Sequence, residues 1–422
     1  MEIKKTAPSK QDYFFSVFYK IAGVVLALIY SVFYSRYLGT ILKGNAAIIS
    51  NYISLISAFT APGMYQAYPY YRKTDKNVFY TFINNMTSLY FIMTVVCLVL
   101  VFTLQININL KVAIAIVPIQ SYIRHINYVV MIEVPKRRYI SSIIIHIMDI
   151  VVIIAFFLFS KSTYERLIII LIITNFINLI ISFVCLKADV KKLKFDLSNI
   201  IKYAKFGLLP MFTLILMTLN YKTDIFMLDT IFHIPKSEIG IYSVGIALAE
   251  KIWLIPDALK DILMSRLIFG KGSEEIAKVT RMSLFVSLIL MAILLVLGRP
   301  FISFVYGLEY VGAYEILAIM LIGVIGMIFY KMVYSYNVVN GKRMINFLFL
   351  GGAAIINIIG NYFLIPIGGI AAAAWSSVIS YLICGICFLL YFCHIEKVKL
   401  HEMLIIQKSD FSSFKNLIKN II

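Results

Sequence analysis

Along the 422 residues, apolar positions gather into runs of about twenty or more, separated by short polar stretches. The runs lie near 14–36, 45–69, 78–104, 108–132, 139–159, 166–186, 206–230, 238–266, 279–304, 310–338, 344–366 and 368–393. Each is long enough to cross a ~30 Å hydrocarbon layer as a helix, the only open-ended element that satisfies its own backbone in lipid. The pattern therefore predicts an all-α polytopic membrane protein of about twelve transmembrane helices. The runs at 45–69, 238–266 and 310–338 are long for a bilayer and are expected to tilt or to extend beyond it. The first run is full-length and lacks a small-residue cleavage site, so it reads as an uncleaved span rather than a signal peptide.

Composition agrees. The chain is 61% hydrophobic and 14% charged, with mean hydropathy +0.90, which excludes a soluble globular domain. The net charge of +18 would suggest nucleic acid in a soluble protein. Here most Lys and Arg fall in short loops, so the charge reports topology instead. With the N-terminus inside, the cytoplasmic segments hold the clusters Lys4–Lys10, Arg72–Lys76, Lys136–Arg138, Lys187–Lys205, Lys260–Arg281, Lys342–Arg343 and Lys397–Lys419. The opposite loops hold only Arg36, Lys43, Lys111, Lys161, Arg166, Lys236 and Arg299. Both termini are therefore expected in the cytoplasm.

The longest hydrophilic connection, KADVKKLKFDLSNIIKYAK, lies midway. It divides the chain into a six-helix lobe over 1–186, a basic linker over 187–205, a second six-helix lobe over 206–393 and a tail over 394–422. An even number of spans per half favours parallel repeats about an axis normal to the membrane. The second half of the linker predicts a short interfacial helix, capped by Asp196 or Ser198, with Ile200, Ile201 and Tyr203 toward lipid. The tail places Phe411, Phe414, Leu417, Ile418, Ile421 and Ile422 on one helical stripe, as expected for a helix lying on an anionic leaflet.

Five basic residues remain inside spans: Lys20, Arg124, Lys222, Lys251 and Lys331. A cation near the bilayer centre costs about 2.5–3.5 kcal/mol even on the lenient insertion scale, so these side chains must face water, pair with acids or snorkel. Lys20 and Lys331 lie within snorkelling reach of the inner interface. Lys251 is mid-span beside Glu250, and sequence neighbours on a helix diverge by ~100° and do not pair. Asp224–Lys251 or Lys222–Glu250 pairs would join spans seven and eight, as a structural salt bridge would. Asp229 reads as an ordinary residue at the outer interface. In the first half, Arg124 with His125 and His146 with Asp149 are the counterparts, suited to proton relay or to hydrogen bonding between helices. Together these residues predict a wet central cavity with excess positive charge, which attracts an anion. Asn51, Asn84, Asn85, Asn220, Asn357 and Asn361 are among the span amides that suit either sugar hydroxyls or helix contacts. The five cysteines fall in or beside apolar runs, and Cys384–Cys387 reads as small buried thiols rather than a redox pair. No Gly-rich phosphate loop, HExxH or Cys/His cluster is present, so no metal site, no cofactor and no enzymatic activity are expected.

Five stretches carry a family likeness. SRYLGTILKGNAAIIS resembles the opening of the polysaccharide flippases (the Wzx-type O-antigen and capsule transporters) of the MATE-like MOP superfamily. NYKTDIFMLDTIFHIPKSEIGIYSVGIALAEKIWLIPDAL is similar to their seventh and eighth helices. FVYGLEYVGAYEILAIMLIG, VVNGKRMINF and NYFLIPIGGIAAAAWSSVIS resemble the ninth-to-twelfth helix region. The resemblance implies a V-shaped MOP/MATE-like pair of six-helix lobes in a bacterial cytoplasmic (inner) membrane, around a cationic lumen. Its cargo would be an undecaprenyl-pyrophosphate-linked oligosaccharide, an O-antigen or capsule repeat unit, flipped to the outer leaflet by alternating access. By matched position Asp224 is the family-like acid, and Lys222 stands where arginine is common. The lumen cations Lys20, Arg124, Lys222, Lys251 and Lys331 would meet pyrophosphate; Asp149, Asp224, Glu250 and His146 would serve ion pairing or a coupling ion, H⁺ or Na⁺. Partners implied are the lipid-linked oligosaccharide, membrane lipids, and a glycan polymerase or chain-length protein, with no nucleic acid. A MATE-like small-molecule exporter is the alternative. A polytopic glycan polymerase or ligase is a further one, but it would need a sizeable extracytoplasmic loop.

Overall fold

The computed structural model describes residues 10–60, 63–75, 78–257, 259–260, 273–407 and 410. The amphipathic stripe expected over 411–422 lies outside them, as does the Lys20 side chain. The long helices are α1 (Lys10–Thr60), α3 (Val78–Thr103), α4 (Ile108–Glu133), α5 (Pro135–Phe159), α6 (Tyr164–Leu186), α7 (Ile200–Thr230), α8 (Lys236–Glu250), α9 (Ser273–Val305), α10 (Ala313–Val339) and α11 (Arg343–Glu396). The short helices α2 (Ala67–Thr74) and α12 (Leu400–Leu404) lie between and after them.

At 51 residues α1 would be roughly 77 Å long if straight, more than twice the hydrocarbon thickness. Gly39 breaks it, with φ 66° and ψ 175°. The 54-residue α11 breaks likewise at Gly368 and Gly369, the latter at φ 54°. Both breaks need a left-handed residue that glycine adopts without strain. Among the described residues eight helices are long and apolar enough to cross a membrane, and a ninth if the bent α7 is one span. Dividing α1 and α11 at their glycines and adding α4, which carries Arg124 in its interior, gives about twelve. The fold class agrees with the sequence expectation; the span expected over 45–69 instead runs from just after Gly39 to Thr60, and residues 261–266 of the span expected over 238–266 lie outside the described residues.

The connections sort onto two opposite faces. On one, Tyr37 Oη lies 2.8 Å from Ser160 Oγ, Asn109 donates to Asn45 at 2.9 Å, and Tyr310 donates to the Ser35 carbonyl at 2.9 Å. This is the Gly39 face. On the other, the linker face, Arg72 pairs with Glu133 at 2.6 Å and Arg281 forks onto Asp410 at 2.8 and 2.9 Å. The Arg281–Asp410 pair is almost fully buried and ties the tail to α9 at Asp410. Burial pushes the Asp410 carboxyl up, but the bonds from Arg281 outweigh it and hold the group below the ordinary carboxylate value.

The linker is sewn to the first lobe. Asn84 accepts from Lys194 N at 3.1 Å, Asn85 accepts from Asn199 N at 2.9 Å, and Ser88 accepts from Asp196 N at 2.8 Å. These asparagines therefore satisfy linker backbone rather than facing a lumen. Tyr203 also departs from expectation: it is 2% exposed and packs against Phe82, not lipid. Neither Asp196 nor Ser198 caps the helix, which begins after Asn199; the Asp196 carboxylate instead receives Asn85 at 2.8 Å and Ser198 N at 2.9 Å. α7 then bends by 57° between its Ile200–Leu208 and Met211–Thr230 parts, where Pro210 interrupts the backbone ladder.

The buried cores show how the lobes meet. One large cluster joins residues of both lobes, from Tyr34, Ile48 and Val117 to Leu228, Tyr242 and Tyr310. At the linker face the first lobe keeps a separate core of Met64, Tyr68, Phe82, Tyr90, Val129 and Tyr203. The lobes thus share apolar packing toward the Gly39 face and hold distinct cores toward the linker face.

Candidate functional site

Between the lobes lies a cavity of about 200 Å³. The second half of α1 lines it with Lys43, Ala46, Ala47, Ser50, Asn51 and Ser54, positions that share one helical face. Tyr34 comes from the first half of α1, Lys222 and Ile225 from α7, and Ser243, Ile246, Ala247 and Glu250 from α8. Small side chains at 46, 47, 243 and 247 keep the space open. Asn51 donates to the Lys222 carbonyl at 2.9 Å and fixes α7 against α1 across the lobe boundary.

At Glu250 the regular α8 ladder ends in a 3₁₀ turn over Lys251–Trp253. Such a turn within a span relieves backbone regularity and often marks a working site. It places Lys251 directly after Glu250, which lines the cavity.

The expected cations divide into distinct environments. Lys222 lines the cavity. Neither it nor Lys251, Lys43 or Arg124 has a carboxylate within ion-pair distance among the described residues. Lys331 differs: it is nearly buried, bonds Asp257 at 2.7 Å and lies 4.9 Å from the Trp253 ring centroid. Asp257 also pairs with Lys260 at 3.2 Å, so Lys331 is held in a Lys–Asp–Lys cluster and is not part of the cavity wall. Arg124 is half-buried on α4 and is not part of the cavity wall.

The expected acid pairings do not form. Asp224 is 2% exposed and receives Tyr242 Oη and, at 2.9 Å, Ile225 N; it does not meet Lys251. Glu250 and Lys222 line the same cavity without bonding. His146 and Asp149 make no mutual hydrogen bond, and Asp149 Oδ1 is buried with no partner. Arg124 and His125 also separate: His125 is buried, with Nδ1 2.9 Å from the Ser121 carbonyl. Asp229, expected as an ordinary interfacial residue, is 5% exposed and holds both Lys236 and, at 2.7 Å, Tyr52. Tyrosines are the partners that charge-based reading passes over.

A second polar group fills the core of the second lobe beside Asp224. Asn357 donates to Ser377 at 3.1 Å, Asn361 to Asn357 at 3.0 Å, and Ser380 to Asn220 at 2.7 Å. Asn361 Oδ1 is buried and unpartnered. Among the described residues no group of three His, Cys, Asp or Glu could hold a metal ion. The five cysteines form no disulfide.

The cavity ends abruptly at the Gly39 face. A Cβ on Gly44 would lie 1.8 Å from the Lys236 carbonyl, and one on Gly240 2.1 Å from the Thr40 carbonyl. Backbone therefore meets backbone across the lobes. Arg36 reinforces this seal by donating to the Val305 carbonyl at 2.7 Å and to the Phe304 carbonyl. These are orphan acceptors at the C-terminus of α9, where a cation is favoured by the helix dipole.

Sequence reasoning placed Lys43 in an outer loop. The helix in fact restarts immediately after Gly39, which brings Lys43 inside. The signal was available in the 4-3-4 spacing of Lys43, Ala47, Ser50 and Ser54, a small and polar helical face.

No protein-family model matches the chain, and no curated protein matches it. Solved structures do. The lipid II flippase MurJ in an inward-closed conformation aligns with 96% of this chain and 91% of its own, at TM-score 0.72 and 16% identity. An inward-facing multidrug resistance MATE family transporter of the MOP superfamily covers 90% and 98%, at 0.65 and 12%. A eukaryotic MATE transporter covers 97% and 98%, at 0.54 and 14%. The chain has the MOP/MATE-like fold, and these neighbours are transporters and flippases of helical membrane type.

Proposed function

We propose that the chain is a flippase for a polyprenyl-pyrophosphate-linked oligosaccharide, an O-antigen or capsule repeat unit, moving it from the cytoplasmic to the outer leaflet of a bacterial inner membrane. The observation that carries the reading is a cavity between two lobes whose lysines lack carboxylate partners. A partly buried cation with no ion-pair partner gains from a ligand that supplies one. Lysine presents a compact charge suited to phosphate, without demanding bidentate geometry. The lipid II flippase likeness supports a lipid-linked cargo.

The Gly39 face bears few basic residues and is taken as the outer face. The lobes then hold a state sealed outside, with separate cores inside. The headgroup enters from the linker face, its phosphates settle on Lys222 and Lys251, and the lipid tail stays between the lobes. Rocking about the α7 bend exchanges the seal from one face to the other. A MATE-like exporter of small cations fits less well, because the unpaired lysines repel such cargo.

The test is reconstitution in vesicles carrying a fluorescent polyprenyl-pyrophosphate disaccharide. The protein is expected to expose it to the opposite leaflet. Failure to do so, combined with export of a cationic dye, would favour the MATE-like reading.

For coupling, we assign Asp224 as the acid that takes up H⁺ or Na⁺. It is a deeply buried carboxylate with no cation pair, held by Tyr242 Oη and the Ile225 N–H. Asp224→Asn is expected to make the flipping rate indifferent to imposed Na⁺ and pH gradients. A variant that keeps the wild-type gradient response would remove Asp224 from this role.

A further inference from the structure

We infer that Lys43 is a second headgroup-binding station, the last cation that the cargo's phosphates meet before the outer seal. This role presupposes the flippase function proposed for the cavity. Lys43 lies in the cavity wall, one residue from Gly44, whose backbone abuts the Lys236 carbonyl to form the seal. The Lys222 backbone stands level with Asn51, eight residues further along α1, so the two lysines spring from backbone positions about 12 Å apart along the helix axis.

The setting of Lys43 suits an anion that arrives and leaves. Its Nζ sits 5.1 Å from the Tyr34 ring centroid. A ring face orients and partly stabilises an ammonium without neutralising it. No carboxylate lies within ion-pair distance of Nζ among the described residues. Glu250 shares the cavity but does not bond it. An ammonium with an aromatic face at its side and no carboxylate bonded to it gains most from a phosphate. Because Lys43 flanks the seal, a phosphate bound there sits next to the backbone contact that must part for release.

The experiment uses the full-length protein in vesicles with the fluorescent pyrophosphate-linked disaccharide. Lys43→Met keeps the aliphatic stem and removes the charge; Lys43→Arg keeps the charge. Lys43→Met is expected to slow outward appearance of the cargo about tenfold, the typical loss for one charge-assisted hydrogen bond. Inorganic pyrophosphate, competing from the linker face, should still inhibit entry in Lys43→Met with a potency within about twofold of the parent, because Lys222 is intact. Lys43→Arg should keep most of the rate. If Lys222→Met stops transport while Lys43→Met runs at the parental rate, the second station is wrong and the flippase function stands. If both variants run at the parental rate, both are wrong. If Lys43→Arg is as slow as Lys43→Met and both melt at lower temperature, Lys43 is a packing residue and the inference fails.

Discussion

Replacing Lys222 and Lys251 together by methionine is expected to abolish glycan-lipid flipping while leaving the protein at least as stable as the parent. Each lysine offers a charge-assisted hydrogen bond to phosphate, worth about 1.5–3 kcal/mol or a factor of roughly 10–100. The pair should therefore lower the rate on the order of a hundredfold or more, measured in the vesicle assay. Stability should not fall with it. Lys222 and Lys251 have no carboxylate partner among the described residues, so the substitutions remove desolvated charge and break no ion pair. A loss of rate that merely tracks a fall in melting temperature would mean that the lysines hold the fold. The opposite combination is the signature of a site kept at the expense of stability.

The second large effect is expected from a single methyl group. Gly240→Ala places a Cβ 2.1 Å from the Thr40 carbonyl oxygen, far inside contact distance. Neither backbone can yield without separating α8 from the second half of α1, so the outer seal cannot close as observed. The variant should populate conformations open at the Gly39 face and lose transport, because alternating access needs both closures. The measurement is labelling of Ala47→Cys by a membrane-impermeant thiol reagent, in a background with the five native cysteines replaced by serine. Ala47 lines the cavity; it should label from outside in Gly240→Ala and stay protected with Gly240 intact. Equal protection with normal flipping would show that the glycine contact is incidental. Arg36→Ala should shift labelling in the same direction but less, since it removes two hydrogen bonds and adds no steric conflict.

The spans were legible because lipid imposes a length on every one of them, and a run of about twenty apolar residues has few other meanings. Even the breaks in α1 and α11 are punctuated in the sequence, by Gly39 and by Gly368–Gly369. What the sequence left open was the choice of partner. Asn84 and Asn85 look like any span amides until the linker backbone is seen folded onto them. Asp224 finds Tyr242 rather than Lys251, and Lys331 finds Asp257, through contacts that no local spacing encodes. Lys43 was lost to a boundary error of a few residues, enough to move a lysine from an outer loop into the wall of the cavity.

The most direct measurement is a density map of the protein with a pyrophosphate-linked disaccharide bound. The account places a phosphate oxygen within about 2.7–2.9 Å of the Lys222 ammonium, inside the chamber lined by α1, α7 and α8. A headgroup lodged elsewhere, with Glu250 swung across to neutralise Lys222 in the occupied protein, would contradict it.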